Sequence, residues 1–293
     1  MQNIPVKRVK ANGIQFAYLE MGEGPLVICL HGFPDVAWSF VPLMQFLKEA
    51  GYRVVAPFMR GYFPTARSEE GDYSVLGLAN DVLAIIDALA LGDEKAIVIG
   101  HDWGGFAAYT AANLAPEKIS ALVQMSVPHM RVSNFSFGQV RRSWYVWLFQ
   151  LPQIKDKWGP ETWVEKNDFA LVDKLYKEWS PNWDCPEEQR IEVKKALAAP
   201  GGVKAALAYY RAMIMGMKMQ QLRLMQQKTT VPTLLVAGEA DQSVGIEQFK
   251  GMSAAYTGFF RFISYPRVGH FPHAENPSQL ATDILEFLKQ CSL

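Results

Sequence analysis

Three residues of this sequence have the types and spacing needed to form and then cleave an ester: Asp102, Asp241 and His270. Asp102 stands in Gly100-His101-Asp102-Trp103-Gly104-Gly105, between the β-branched run Ile97-Val98-Ile99 and an Ala-rich segment, Phe106 to Ala115. That reads as strand, sharp turn and helix, with the aspartate at the apex of Gly-X-Asp-X-Gly. An apex residue held in so tight a turn has a strained backbone and needs small neighbours. Gly100 and Gly104 supply them, and Gly105 lets helix and strand approach closely. The helix N-terminus behind the carboxylate favours its ionised form. With an ordinary pKa of about 3.9, an aspartate is an anion at neutral pH. It is suited to attack a strained or activated saturated carbon, where a hydroxyl nucleophile suits carbonyls. Asp241 follows Val236 to Ala240, and His270 follows Val268-Gly269. A histidine oriented by a carboxylate takes a proton from water, and that water then cleaves the ester. Each residue alone also reads as an ordinary cap, turn or loop residue; it is the order nucleophile, acid, histidine, each at the carboxyl end of a strand, that sets them apart.

The elements that must position these residues follow from the hydrophobic pattern. Val6 to Lys10 and Ile14 to Glu20 read as a hairpin turning at Asn12-Gly13. Leu26 to Leu30 is wholly apolar, as a strand buried on both faces would be, and runs into His31-Gly32-Phe33-Pro34. A helix over Trp38 to Ala50, a strand over Tyr52 to Pro57 and an amphipathic helix over Tyr73 to Leu91 precede the Asp102 turn. Ser120 to Val127 is a further strand. The alternation then lapses from about His129 to Leu224, a stretch with helical and loop patterns that holds most of the tryptophans and Met213, Met215, Met217 and Met219. Strands resume at Pro232 to Gly238 and Phe259 to Tyr265, before a last helix from about Ser278 to Gln290. The alternation predicts an α/β fold: a mostly parallel eight-stranded sheet flanked by helices, formed by residues 1–128 and 225–293. Residues 129–224 are expected to form a helical cap, or lid, over the carboxyl edge of the sheet, where open α/β sheets bind ligands. Most of the cap tryptophans are expected to be core, and a few to line an apolar chamber.

Composition narrows the partners. The 293 residues carry equal numbers of acidic and basic side chains and no net charge, so nothing favours nucleic acid or an anionic membrane. Cys29, Cys185 and Cys291 are odd in number and lack metal-ligand spacing. Neither they nor the histidines imply a metal, and the chain is expected to be cytoplasmic and to need no cofactor. No apolar run is long enough to span a bilayer. The sequence leaves the oligomeric state open, a homodimer included.

With those residues in place, the chain resembles an α/β-hydrolase-fold epoxide hydrolase along nearly its whole length. The resemblance rests on His31-Gly32-Phe33-Pro34, Gly100-His101-Asp102-Trp103-Gly104-Gly105, Asp241 and Gly269-His270-Phe271. It implies an ether-bond hydrolase acting on an apolar, aryl or alkyl epoxide and water, with Asp102 as nucleophile and His270 and Asp241 completing the triad. It also implies two cap tyrosines that donate to the epoxide oxygen. The stretch Ser143 to Gln150 resembles the segment bearing the first, which assigns Tyr145. Tyr209-Tyr210-Arg211 resembles the segment bearing the second, and the tyrosine before arginine is Tyr210. Tyr209 and Tyr210 point about 100° apart on a helix, so only one faces Asp102; Tyr176 is a further tyrosine in the same region. The N–H groups of Phe33 and Trp103 are the implied oxyanion donors, and Phe33, Pro34, Trp103 and Trp144 are the implied substrate contacts. His31 is read as a support for the oxyanion turn and His101 as structural.

Haloalkane dehalogenases resemble the same pattern, and Trp103 fits both, since its indole N–H could hold a halide. Phe33 stands where one variant of that family has asparagine. Fluoroacetate-type dehalogenases share His-Gly-Phe-Pro but have arginine where Trp103 stands. A non-catalytic, ligand-binding relative is the alternative from another class; the complete triad argues for turnover instead.

Overall fold

The hydrophobic runs form strands, and their ends set the positions of the chemical residues. The computed structural model describes residues 4–67, 71–133, 136–152, 154 and 158–293. Its eight strands are β1 (Lys7–Ala11), β2 (Ile14–Met21), β3 (Leu26–Leu30), β4 (Arg53–Pro57), β5 (Ala96–His101), β6 (Ile119–Met125), β7 (Thr233–Gly238) and β8 (Phe260–Tyr265). They lie in the order β1-β2-β4-β3-β5-β6-β7-β8. The β1–β2 and β2–β4 pairs are antiparallel and the rest parallel. Asn12 and Gly13 both have positive φ at the hairpin, the conformation such a tight connection requires. Every residue of β3, β5 and β7 is buried, which is why these segments read as unbroken apolar runs.

Helices cover both faces. Those flanking the first half of the sheet are α1 (Val41–Glu49), α2 (Val75–Leu89) and α3 (Trp103–Leu114). Between β6 and β7 come α4 (Phe137–Arg142), α5 (Trp144–Leu148), α6 (Pro160–Trp179), α7 (Glu187–Ala198), α8 (Gly202–Ile214) and α9 (Met219–Met225); α10 (Pro272–Glu275) and α11 (Pro277–Gln290) follow β8. The helix α1 packs against α11, and α2 packs against α3. Among the described residues of the α4–α9 segment, the strand-type pairing is a single bridge between Ile154 and Trp158. None of the helices searched is long and apolar enough to cross a membrane.

Two local irregularities, the first a departure from the sequence expectation, have physical causes. The helix expected from Trp38 is a 3-10 turn, Ala37–Phe40, followed by α1, whose first turn holds Pro42; a proline lacks the N–H that a helix interior needs and fits the first turn. Within α6, Lys166 to Phe169 leave helical geometry, with positive φ at Asn167, Asp168 and Phe169. Asn and Asp tolerate the left-handed region better than most residues.

Candidate active site

The parallel register aligns the carboxyl ends of four strands. Leu30 pairs with Gly100, His101 with Met125 and Gly238 with Tyr265. The turns beyond β3, β5, β7 and β8 therefore carry Phe33, Asp102, Asp241 and His270 to one end of the sheet. Asp102 has φ 51° and ψ −118°, outside the regions an ordinary residue prefers. The glycines around it are there because nothing larger fits. A Cβ on Gly100 would lie 2.3 Å from the Gly104 carbonyl oxygen, one on Gly104 would lie 2.2 Å from that of Leu30, and one on Gly32 would lie 2.2 Å from Asp102 Oδ1. The helix α3 begins at Trp103, three residues before the sequence suggested, because two glycines in its first turn mask the helical pattern.

The Phe33 N–H donates to Asp102 Oδ1 at 2.8 Å, and the Trp103 N–H also donates to this carboxylate. On the opposite side, Asp102 Oδ2 lies 3.9 Å from His270 Nε2, too far for a direct hydrogen bond. His270 Nδ1 is 2.8 Å from Asp241 Oδ2. Asp241 Oδ1 accepts from the N–H groups of Ser243 and Val244 at 2.6 and 3.0 Å. The Nδ1 proton points at Asp241, so in the neutral imidazole Nε2 carries the lone pair on the side of Asp102. The His270 carbonyl accepts from Ser126 Oγ and His101 Nε2, each at 2.8 Å, and its N–H donates to Ser180 Oγ at 2.9 Å. His31 accepts from the Met59 N–H at Nε2 and contacts the Gly32 carbonyl through Nδ1, each at 2.9 Å, so it braces the turn that presents Phe33. Burial lowers the His31 pKa to about 4, so it stays neutral.

Burial also pushes the Asp102 pKa up to about 6, against the opposing pull of His270 and the two backbone donors. The helix end behind the carboxylate therefore does not keep it at its ordinary value, although it remains mainly ionised at neutral pH. For His270, burial alone would lower the pKa, but the carboxylates of Asp241 and Asp102 outweigh burial and raise it.

The inserted helices face this constellation with two phenols. Arg211 fixes α8 by donating to the Phe149 carbonyl at 3.0 Å and pairing with Glu161 at 2.6 Å, and Gln150 Nε2 donates to the Tyr210 carbonyl at 3.2 Å. Neighbouring tyrosines then part company. Tyr209 donates to the Arg60 carbonyl at 2.8 Å and docks α8 on the sheet domain. Tyr210 lines the cavity, with its ring centre 4.9 Å from that of Trp103 and its hydroxyl without a well-formed hydrogen bond. Tyr145, on α5, lines the same cavity, 5.9 Å from Tyr210 between ring centres. Burial and then the Asp102 charge raise both phenol pKa values, so both stay protonated at neutral pH. Tyr176 instead turns toward Asp35.

The cavity over Asp102 encloses about 290 Å³ and is walled mainly by apolar side chains, Met130, Trp147, Met213 and Met217 among them. Of the four residues expected to touch substrate, Trp103 lines it; Phe33, Pro34 and Trp144 do not. Phe33 and Pro34 are buried beneath, and Phe33 meets Tyr210 edge-on at 5.6 Å. Trp144 lies under the Lys174 ammonium, 5.0 Å from it, and Trp147, one helical turn on, takes the cavity position. The α5 helix has five residues, so hydrophobic periodicity could not show which indole faces inward. Gln139 and Ser243 carried no sequence signal, whereas Met213 and Met217 belong to the methionine run of the inserted segment.

A strained turn after β5, an acid after β7 and a histidine after β8 on this sheet define an α/β hydrolase. A family profile described as the alpha/beta hydrolase fold matches residues 25–277. The AB hydrolase superfamily protein YfhM of Bacillus subtilis is 31% identical over 99% of each chain. Human epoxide hydrolase 4 is 30% identical, covering 97% of this chain and 78% of its own. The crystal structure of an epoxide hydrolase from Vigna radiata superposes with a TM-score of 0.80 at 26% identity over 98% of each chain. The chain belongs to the alpha/beta hydrolase fold family and, within it, to the epoxide hydrolases.

Proposed function

We propose that this protein converts an apolar aryl or alkyl epoxide and water into a vicinal diol through a covalent ester on Asp102, with residues 129–224 acting as a cap domain over a sheet domain formed by the rest. The observation that carries the reading is the convergence of unpartnered polar atoms on one buried carboxylate. Tyr210 Oη, His270 Nε2 and the Trp103 indole N–H are all buried and none makes a well-formed hydrogen bond within the protein, the indole and the Tyr210 hydroxyl facing each other. Buried polar atoms are nearly always paired, and a group of exceptions around one carboxylate is explained by a ligand that meets them.

In this reading Asp102 Oδ2 attacks a ring carbon. The ring C–O bond breaks toward the oxygen, which Tyr145 and Tyr210 hold and protonate. The Asp102 Oδ1 atom already accepts from the Phe33 N–H, and the Trp103 N–H also donates to this carboxylate, so Oδ1 becomes the ester carbonyl oxygen in place. Water, deprotonated by His270 Nε2, then adds to the Asp102 carboxyl carbon, and those N–H groups receive the negative charge on Oδ1. Collapse releases the diol. A cytoplasmic location goes with the reading and is supported by three free thiols.

The Trp103 indole N–H also suits a halide, which makes dehalogenation the second reading. Incubation with styrene oxide and with 1-bromohexane separates the two. Diol without bromide is the expected result; bromide without diol would reverse the assignment, and neither product would favour a ligand-binding role. Tyr210→Phe is expected to slow ester formation about 10–100-fold, as loss of one of two donors to a developing charge does, with a smaller change in substrate affinity. An unchanged rate in stopped-flow measurement would remove Tyr210 from the mechanism.

The two half-reactions should also separate on a pH axis. Ester formation needs ionised Asp102, so kcat/KM is expected to fall as pH drops through about 6. Ester hydrolysis needs neutral His270. Its pKa is raised, and its contact with Asp241 remains in the ester, so hydrolysis should fail first on acidification and ester should accumulate. Hydrolysis that outlasts ester formation at low pH would contradict this order.

A further inference from the structure

The two phenols that face Asp102 are not equivalent. The Tyr210 hydroxyl faces the Trp103 indole N–H without a well-formed hydrogen bond, whereas the Tyr145 hydroxyl lies 3.0 Å from Ser243 Oγ. Ser243 is fully buried and held at both ends of its peptide unit. Its N–H donates to Asp241 Oδ1 at 2.6 Å, and its carbonyl accepts from Gln139 Nε2 at 2.8 Å. Gln139 in turn accepts from the Gly245 N–H at 3.0 Å. Among the described residues, Ser243 Oγ hydrogen-bonds to Tyr145 alone. The loop that carries the triad acid thus presents one hydroxyl to one phenol at a fixed distance.

Either oxygen of this pair can donate, and the two arrangements differ chemically. If Tyr145 donates to Ser243, its proton points away from the cavity. If Ser243 donates to Tyr145, the phenol's own proton is free to face the cavity. In that second arrangement the Ser243 hydroxyl also supports the phenolate that remains after proton transfer. Hydrogen bonds to an ionised acceptor are roughly twice as strong as neutral ones. The contact therefore strengthens as the reaction proceeds, which is the condition for lowering a barrier.

We propose that Ser243 is a positioning residue that donates to Tyr145 and so makes Tyr145 the phenol that transfers its proton to the opened ring, while Tyr210 holds the ring oxygen by a hydrogen bond. The inference rests on the epoxide reading above. As the bond from Asp102 Oδ2 to carbon forms and the ring C–O bond breaks, the electron pair moves to the ring oxygen. That oxygen takes the Tyr145 proton, leaving a phenolate on Ser243 Oγ–H. In the second step His270 takes one proton from water and returns it to the departing diol oxygen. Asp102 emerges as a carboxylic acid, and its proton restores the Tyr145 phenol through solvent, so no charge is left over.

The test is a double-mutant cycle read on separated steps. Ser243→Ala is made in the parent chain and in Tyr145→Phe, and ester formation and ester hydrolysis are timed under single turnover with styrene oxide. Ser243→Ala is expected to slow ester formation about tenfold in the parent, the effect of one hydrogen bond to a charged group. In the Tyr145→Phe background the effect should be less than about twofold, because the serine acts only through that phenol. Hydrolysis should be unchanged, and Ser243→Thr should restore the parent rate. An equal loss in both backgrounds, a loss confined to hydrolysis, or no loss at all would overturn the proposal. The first two outcomes would mean that the serine merely supports the Asp241 loop. Failure of the parent chain to form any ester would instead defeat the epoxide reading, and this proposal with it.

Discussion

Replacing Asp102 with alanine is expected to lower diol formation by about 10⁴-fold or more, the loss typical of removing a nucleophile that works as part of a unit. No neighbouring group can take over, because Asp241 is buried behind His270 and both its oxygens are already engaged. Folding should survive. Asp102 occupies a strained backbone position, and its carboxyl pKa is pushed up to about 6 by burial, so the native state gains little from holding the charge there. Its removal leaves the Phe33 and Trp103 N–H groups unpaired, which offsets that relief. Diol assay with thermal melting checks both halves. A variant that melts like the parent and makes no diol is expected; one that keeps much of its turnover would point to direct attack by water.

His270→Gln separates the two chemical steps. In the proposed reaction, ester formation uses Asp102 and the phenols and does not need the imidazole. Glutamine can keep a hydrogen bond to Asp241 but cannot accept a proton from water, so hydrolysis should slow by about 10²–10⁴-fold. The variant is expected to consume about one equivalent of epoxide and then stall. Because the His270 charge holds the Asp102 pKa down, its loss raises that pKa further, and the experiment belongs near pH 8. Steady turnover with no burst would mean that His270 is not the base. No consumption at all would mean that the histidine is needed before the ester forms.

How far the sequence could be read followed the regularity of the backbone. Asp102, Asp241 and His270 each follow the end of a strand, and a parallel sheet brings such ends together whatever the details of the loops. The glycines around Asp102 were legible for the same reason: close backbone approach excludes a Cβ. The inserted helices gave no comparable handle. Tyr145 and Tyr210 emerged through resemblance, because the spacing of aromatic residues in short helices does not say which side faces inward. Trp144 and Trp147 show the consequence, one stacked beneath a lysine and the other on the cavity wall. Phe33 presents its backbone N–H to Asp102 while its ring is buried, a distinction residue type cannot reveal. Ser243 was invisible because its importance lies in a 3.0 Å contact across nearly a hundred residues of chain.

The central claim is that a carboxylate oxygen of Asp102 becomes covalently bound to the substrate. The measurement that bears on it most directly is the mass of His270→Gln after incubation with styrene oxide near pH 8, followed by peptide mapping. The account predicts a protein heavier by one substrate mass, with the added mass on the peptide containing Asp102 and lost on treatment with mild base. An unmodified mass in a variant that still consumes epoxide, or an adduct on any other residue, would contradict it.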